Sequence, residues 1–261
     1  MSDLSGIDSP DIDRLSSFGG HGTKEAWELS RLLEEADVPC CFSGVSALIY
    51  YGVVRARNDW ELCVPTELLP KVESLLKSDA YASIYRQIPP RSWPQPGSLN
   101  HLCPRFKLIG VDFSFIVIPS RHVHFVCESS NIRRSHHGLP YPKLKIFVQS
   151  LLEMSDRVSL FDVVDGSDVS EQWGTENLDL DGTNDVEWSV QRNEDILHQP
   201  GSVPPVFGYM PTQRVNKREL WQWAVNTKQS RRGSTQPPEL FSTRFRLHNS
   251  MDPWLEARDC C

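Results

Sequence analysis

The chain has 261 residues, of which 39% are hydrophobic and 23% charged, and its formal net charge is -7. This composition can fill the core of one large domain, with or without appendages, and the negative charge excludes a general attraction to nucleic acid. No stretch reaches the roughly 18 apolar residues that a membrane span needs, and the acidic N-terminus lacks the pattern of a secretory signal. We therefore expect a cytoplasmic or nuclear protein that is not secreted and has no membrane partner.

The N-terminal part begins with an acidic, aperiodic segment at residues 1–20, which predicts a disordered leader. A folded domain is predicted from residue 21 to residue 165. Its first helix is expected to begin at Thr23 and to continue to about Ala36. A short buried strand is expected to follow over residues 38–42.

The next stretch contains two acids near a turn of small residues. The Ser43-Gly44 pair predicts the turn, residues 47–51 a short helix, and residues 60–64 a strand. Asp59 and Glu61 are two residues apart, so their carboxylates point to one face of this strand, opposite to Trp60. Two carboxylates on one face, beside a small-residue turn, suit a hard divalent cation and the phosphates that it carries.

A third acid follows in a predicted hairpin. Residues 88–103 are rich in proline and predict a long loop. Residues 106–117 predict a hairpin around Ile109-Gly110, in which Asp112 points away from the apolar face of the second arm. A further strand is predicted over residues 122–126, and helices over residues 143–154 and 160–164.

The C-terminal part changes in character and predicts an accessory region. Residues 166–212 are predicted to form an acidic accessory segment and linker, and residues 213–261 a short helix and a basic, partly disordered tail. Asn216 and Glu219 have the N-x-x-E spacing of a helix start.

The seven cysteines are scattered, and several lie in apolar runs, which is typical of reduced core thiols rather than of a disulfide framework. No C-x-x-C pair occurs, so the spacing does not predict a structural zinc site.

The order of these elements resembles a known fold. A strand, a small-residue turn, a helix, a D-x-[DE] strand and a third acid on a later strand resemble the nucleotidyltransferase fold of the polymerase-β superfamily. The run S-G-V-S-A-L-I-Y-Y-G-V-V-R-A-R-N-D-W-E-L resembles its minimal, antibiotic- and toxin-type members, which read roughly G-G-x-A-L-x-x-x-G-x-x-R-x-T-x-D-x-D-L. Residues 30–195 are also similar to a fungal family that ends in an acidic W-G-x-x-N-L-D-L-x-G-T-N-D segment. The resemblance implies an α/β (α+β) fold, with a small mixed sheet flanked by helices and an accessory C-terminal region.

The resemblance also implies a site and a reaction. Three acids would bind magnesium and act in catalysis: Asp59, Glu61 and Asp112. Four further residues would bind the nucleotide: Ser43, Gly44, Ser46 and Arg57, the last at the mouth of the site. The expected reaction transfers a nucleoside monophosphate from a nucleoside triphosphate to an unknown acceptor, with nucleic acid not expected as a partner. The magnesium ions would supply most of the charge neutralisation that phosphoryl chemistry needs.

Two departures from the family pattern leave alternatives open. The usual G-G or G-S is Ser43-Gly44 here, and Trp60 replaces a small aliphatic residue. One alternative is a catalytically inactive member of the fold that serves as a binding or scaffolding module. Another is that Asp59 and Glu61 form ion pairs with nearby cations, for which the sequence offers Arg55, Arg57 and Lys107.

Overall fold

A computed structural model describes residues 13–53, 55–90, 100–197, 209–228 and 230–231. These residues form a mixed α/β structure, in which a mixed sheet of several strands is flanked by helices. The predicted fold class is confirmed at this level. The predictions for residues 1–12, for the proline-rich residues 91–99 and for the basic tail after residue 231 lie outside the described residues.

The described helices and strands follow one another in a mixed order. The helices are α1 (Ser17–Gly20), α2 (Thr23–Glu35), α3 (Gly44–Tyr50), α4 (Leu69–Leu76), α5 (Leu144–Glu153), α6 (Arg157–Ser167), α7 (Glu171–Asn177), α8 (Val186–Leu197) and α9 (Lys217–Asn226). The strands are β1 (Arg14–Leu15), β2 (Cys41–Phe42), β3 (Trp60–Val64), β4 (Tyr85–Ile88), β5 (Arg105–Leu108), β6 (Val111–Asp112), β7 (Ser114–Pro119), β8 (Ile132–Arg134) and β9 (Pro140–Pro142). None of the helices in the described ranges is long and apolar enough to cross a membrane.

The main sheet has five strands in the order β2-β3-β7-β5-β4. Strands β3 and β7 are parallel, and the other neighbouring pairs are antiparallel. A parallel pair needs a long crossover, and α4 with the β4–β5 pair lies in the chain between β3 and β7. All five residues of β3 are buried, so this strand is covered on both faces.

The two faces of β3 carry different chemistry. Trp60 and Leu62 pack into the main hydrophobic core, as the alternation of side chains along a strand requires. Cys63 belongs to a separate small cluster on the opposite face of the strand. Glu61 is two residues away along the strand, so its side chain points to the same face as that of Cys63. The acidic face of this strand is therefore also the face of a buried thiol.

Residues 13–20 form tertiary contacts, whereas the sequence predicts a disordered leader over residues 1–20. Strand β1 pairs in parallel with β6, so that Arg14 is opposite Val111, and Asp13 forms an ion pair with Lys107. Ser17 donates from its hydroxyl to the Glu25 carboxylate at 2.5 Å. These tertiary contacts order residues that show no periodicity of their own.

The prediction of a strand over residues 122–126 is wrong. The segment begins with a 3-10 turn at Ser120–His122, and His124 has a φ of 51°. This left-handed backbone conformation is incompatible with an extended strand.

The C-terminal region packs into the same core as the preceding domain. Trp221 of α9 is fully buried, and Leu180, Met210 and Leu220 belong to the core cluster that also contains Phe42. Helix α9 packs against α5, α6 and α7. The described residues after 165 therefore share a hydrophobic core with the residues before it.

Candidate functional site

The Ser43-Gly44 turn lies where β2 passes into α3. Strand β2 ends at Phe42, and the N–H of Ser43 still donates to the Glu61 carbonyl oxygen at 2.8 Å. Gly44 then begins α3 with a φ of 55°, a conformation that glycine adopts without steric cost. The β2–β3 pairing thus places the N-terminus of α3 directly beside the acidic face of β3.

The Glu61 side chain covers this helix N-terminus. Its carboxylate accepts a hydrogen bond from the backbone N–H of Val45 and lies so close to Gly44 that a Cβ there would overlap it. Glu61 is 7% exposed, and its own N–H donates to the Ser46 hydroxyl at 3.4 Å. A helix N-terminus attracts anions through its free N–H groups and its dipole. In this structure the carboxylate of the protein itself supplies that anion.

Asp59 is held by a cation and a hydroxyl. Arg105 donates to Asp59 Oδ1 from Nε at 3.1 Å and from Nη2 at 3.0 Å, and the Ser114 hydroxyl donates to the same oxygen. The Asp59 and Arg105 side chains are only 6% and 17% exposed. A charge-assisted pair with this little exposure neutralises the carboxylate from within the protein.

Asp112 lies in a different sheet from Glu61 of β3, and Asp59 directly precedes β3. Asp112 is an exposed residue of β6, which pairs with β1, and Leu15 is its partner. Within the described ranges, the one group of three or more ligand side chains whose donor atoms lie within 4.8 Å of one another consists of cysteines. As positioned, the three carboxylates do not share the oxygen-rich centre that a magnesium ion requires.

Arg57 stacks on the ring of Trp60, the first residue of β3. Its guanidinium carbon lies 3.4 Å from the centroid of the tryptophan ring, and its Nη2 donates to the His21 carbonyl oxygen at 2.7 Å. Trp60 Nε1 donates to the same oxygen at 3.1 Å. Burial lowers the pKa of Arg57 to about 10, although the charge of Glu61 opposes this shift. Arg57 and Trp60 together tie the N-terminal segment to β3.

Ser43 has a hydroxyl oxygen without a hydrogen-bond partner among the described residues. The side chain is fully buried, and burial of an unpaired hydroxyl costs free energy. Of the residues predicted to bind a nucleotide, Ser43 is the one whose polar side-chain group remains unused.

Sequence reasoning missed Arg105 and Ser114, and it proposed other partners for the acids. Arg55 instead forms an ion pair with Asp162 at 2.5 Å, and Lys107 pairs with the N-terminal segment. The pairing register brings Arg105 into place, because Ile116 of β7 lies opposite both Arg105 of β5 and Glu61 of β3. The sequence signal was therefore a cation directly before the predicted hairpin, and its role becomes clear only from the register of the strands.

Comparison of the chain with protein-family models and with curated proteins finds no match. The site is accordingly interpreted from its own geometry.

Proposed function

We propose that this chain is a non-catalytic protein of the nucleotidyltransferase type that serves as a binding or scaffolding module. The observation that carries this proposal is the contact of Asp59 Oδ1 with Arg105 and Ser114. A carboxylate that shares one oxygen among three donors is neutralised by the protein and needs no metal ion. The order of a strand, a turn, a helix and a paired-acid strand supports the fold type.

The position of Glu61 supports the same proposal. The N-terminus of α3 is where the resemblance expects the triphosphate, and a phosphate bound there would need the N–H groups of the first turn. The Glu61 carboxylate already accepts the Val45 N–H. A triphosphate at this place would meet a negative charge instead of a free donor.

A second candidate is a magnesium-dependent nucleotidyltransferase. It is favoured by the nearly complete burial of Asp59 and Glu61 on one face of β3, beside the unpaired hydroxyl of Ser43. This function requires Arg105 to leave Asp59 so that both acids can turn toward a metal ion. The acceptor substrate of such a reaction is not specified by these residues.

Titration calorimetry distinguishes the two candidates. The wild-type chain is titrated with a mixture of ribonucleoside triphosphates, with and without magnesium, and compared with Asp59→Asn. If the chain is a non-catalytic module, we expect no saturable, magnesium-dependent heat of binding for the wild type or for Asp59→Asn. The transferase predicts magnesium-dependent binding that Asp59→Asn removes.

Asp112→Asn serves as a matched control, because it removes an equal charge at an exposed position of β6. The module predicts that this variant also behaves like the wild type. Magnesium-dependent nucleotide binding that is lost in both variants would contradict the module and establish a three-acid centre. The circular dichroism of each variant checks that it is folded.

A further inference from the structure

Three cysteines that are distant in sequence meet on the acidic face of the sheet. Cys41 of β2 lies directly opposite Cys63 of β3 in the strand register, and Cys127 joins them from the segment after β7. All three are reduced, and they are 0%, 0% and 3% exposed, respectively. Their sulfur atoms lie within 4.8 Å of one another. The three thiols form a compact group that excludes bulk water.

The sulfur separations suit a common metal ion. Cys41 Sγ and Cys127 Sγ are 3.9 Å apart. Zinc–sulfur bonds of about 2.3 Å in a tetrahedral site give sulfur–sulfur separations of about 3.8 Å. Cys41 and Cys127 are therefore already spaced as two corners of such a site, and the sulfur of Cys63 lies within 4.8 Å of both.

An oxygen ligand is also within reach of the group. The carbonyl oxygens of Cys63 and Pro39 lie 3.5 Å and 3.8 Å from Cys127 Sγ. A tetrahedral ion needs a fourth ligand besides three thiolates. Either a carbonyl oxygen or a water molecule can complete the shell.

The charge of the group favours a divalent cation. A metal ion binds cysteine as the thiolate, so the thiol protons leave when the ion enters. A divalent cation bound by three thiolates leaves a net charge of -1 on the centre, whereas a monovalent cation would leave -2.

A surface cavity borders the group of cysteines. A cavity of about 520 Å³ is lined by Pro39, Cys40, Ser129 and Ile132, among others. Ile132 also packs against the three cysteines, with Val123 and Phe125. The segment that carries Cys127 has no regular strand or helix before the 3-10 turn at Ser129–Asn131. Ile132 thus belongs both to the wall of the cavity and to the surroundings of the cysteines.

We propose that Cys41, Cys63 and Cys127 form a binding site for a thiophilic divalent cation of the zinc class. The site forms by strand pairing and by the return of one segment, so its ligands need no C-x-x-C spacing. A bound ion would tie β2 and β3 to the segment before β8. Binding replaces the three thiol protons by one cation, and the protons pass to the buffer.

Cadmium is a suitable probe, because cadmium thiolates absorb in the near ultraviolet. The full chain is purified reduced and metal-free, with Cys260→Ser and Cys261→Ser as background substitutions to remove the adjacent terminal thiols. We expect one equivalent of cadmium to bind with charge-transfer absorbance, and zinc to displace it. Calorimetry in buffers of different ionisation enthalpy should report the release of about three protons per ion.

The variants separate this site from weak binding elsewhere. Cys127→Ser removes the least buried ligand and should weaken binding roughly 100-fold or more, while Cys103→Ser, a buried thiol outside the cluster, should leave it unchanged. Failure of the reduced background chain to bind stoichiometrically, or equal affinity of Cys127→Ser, would overturn the proposal. If Cys127→Ser does not fold, the rate of alkylation of Cys127 in the background chain, with and without zinc, is measured instead. A bound ion protects the thiol, and unchanged alkylation with zinc counts against the site.

Discussion

The carboxylate of Glu61 lies directly over Gly44 and accepts the backbone N–H of Val45. No N-cap side chain performs this task, because Ser43 makes no capping hydrogen bond. The N-terminus of α3 is thus capped by a side chain from the neighbouring strand. Glycine is required at position 44 for two reasons. Its φ is positive, and the absence of a Cβ leaves space for the Glu61 carboxylate.

Gly44→Ala should therefore cost more stability than backbone strain alone. An alanine at φ 55° loses roughly 1 to 2 kcal/mol, and displacement of the Glu61 carboxylate removes a charge-assisted hydrogen bond worth about 2 kcal/mol. We expect the free energy of unfolding, measured by chemical denaturation, to fall by about 3 kcal/mol in total.

Gly110→Ala provides the matched control for this measurement. Gly110 has a φ of 72°, but a Cβ there meets nothing within 4 Å, so its cost should be strain alone, about 1 kcal/mol. In a Glu61→Ala background, Gly44→Ala should cost no more than this control. Equal costs for the two glycines in the wild-type background would mean that Glu61 does not restrict Gly44.

Trp221 should be necessary for the stability of the whole described structure. It is fully buried in α9, and a Cβ at Gly174 of α7 would overlap its ring. Trp221→Ala should lower the free energy of unfolding by about 4 kcal/mol within a single cooperative transition, because the C-terminal helices share the main core. Trp223→Ala is the control, since that ring is 47% exposed. Two separate transitions, with only the minor one shifted by Trp221→Ala, would show an independent C-terminal domain.

His122 should contribute to the loss of stability in acid. Burial, together with the charges of Arg192 and Arg121, lowers its pKa to about 3, while the unfolded chain has a histidine pKa of about 6.5. Below about pH 6.5 the unfolded state therefore binds more protons, and the stability supplied by neutral His122 is lost as the pH falls toward about 3. His122→Gln should flatten the decrease in unfolding free energy between about pH 6.5 and about pH 4. A variant with the wild-type slope would show that His122 is not buried as a neutral ring.

Local sequence patterns predicted the elements that depend on local chemistry. The hairpin at Ile109-Gly110 is confirmed, because Gly110 supplies the positive φ of the turn. Asn216 accepts the N–H of Glu219 at 3.0 Å and begins α9, as its N-x-x-E spacing indicates. The predicted helix at residues 143–154 is confirmed as α5, with a buried stripe of the expected period.

The acidic region was harder to predict, because its charges are satisfied by residues distant in sequence. Lys217 donates to Glu153 at 2.9 Å and to Asp179 at 3.1 Å, and this pairing raises the pKa of Lys217 despite its burial. The high acid content of this region predicted an accessory segment and a linker. In the structure, helices α7 and α8 lie there. Composition alone does not reveal which cation meets which acid.

The candidate site shows the same limit. Alternation along β3 correctly places Trp60 and Leu62 in the core. The partner of Asp59 follows from the register of three strands, which no local pattern contains. The cluster of three cysteines likewise depends on the pairing of Cys41 with Cys63. The spacing of the cysteines along the sequence does not predict this pairing.

The effect of Asp59→Asn on stability tests the central claim most directly. Removing the charge leaves the Arg105 guanidinium, 17% exposed, without its carboxylate, so the free energy of unfolding should fall by about 2 kcal/mol. A double-mutant cycle with Arg105→Gln should give a favourable coupling energy for the pair. Magnesium should not change the free energy of unfolding of the wild type or of the variants. An Asp59→Asn variant as stable as the wild type or more so, together with stabilisation of the wild type by magnesium, would contradict the account and indicate a metal centre.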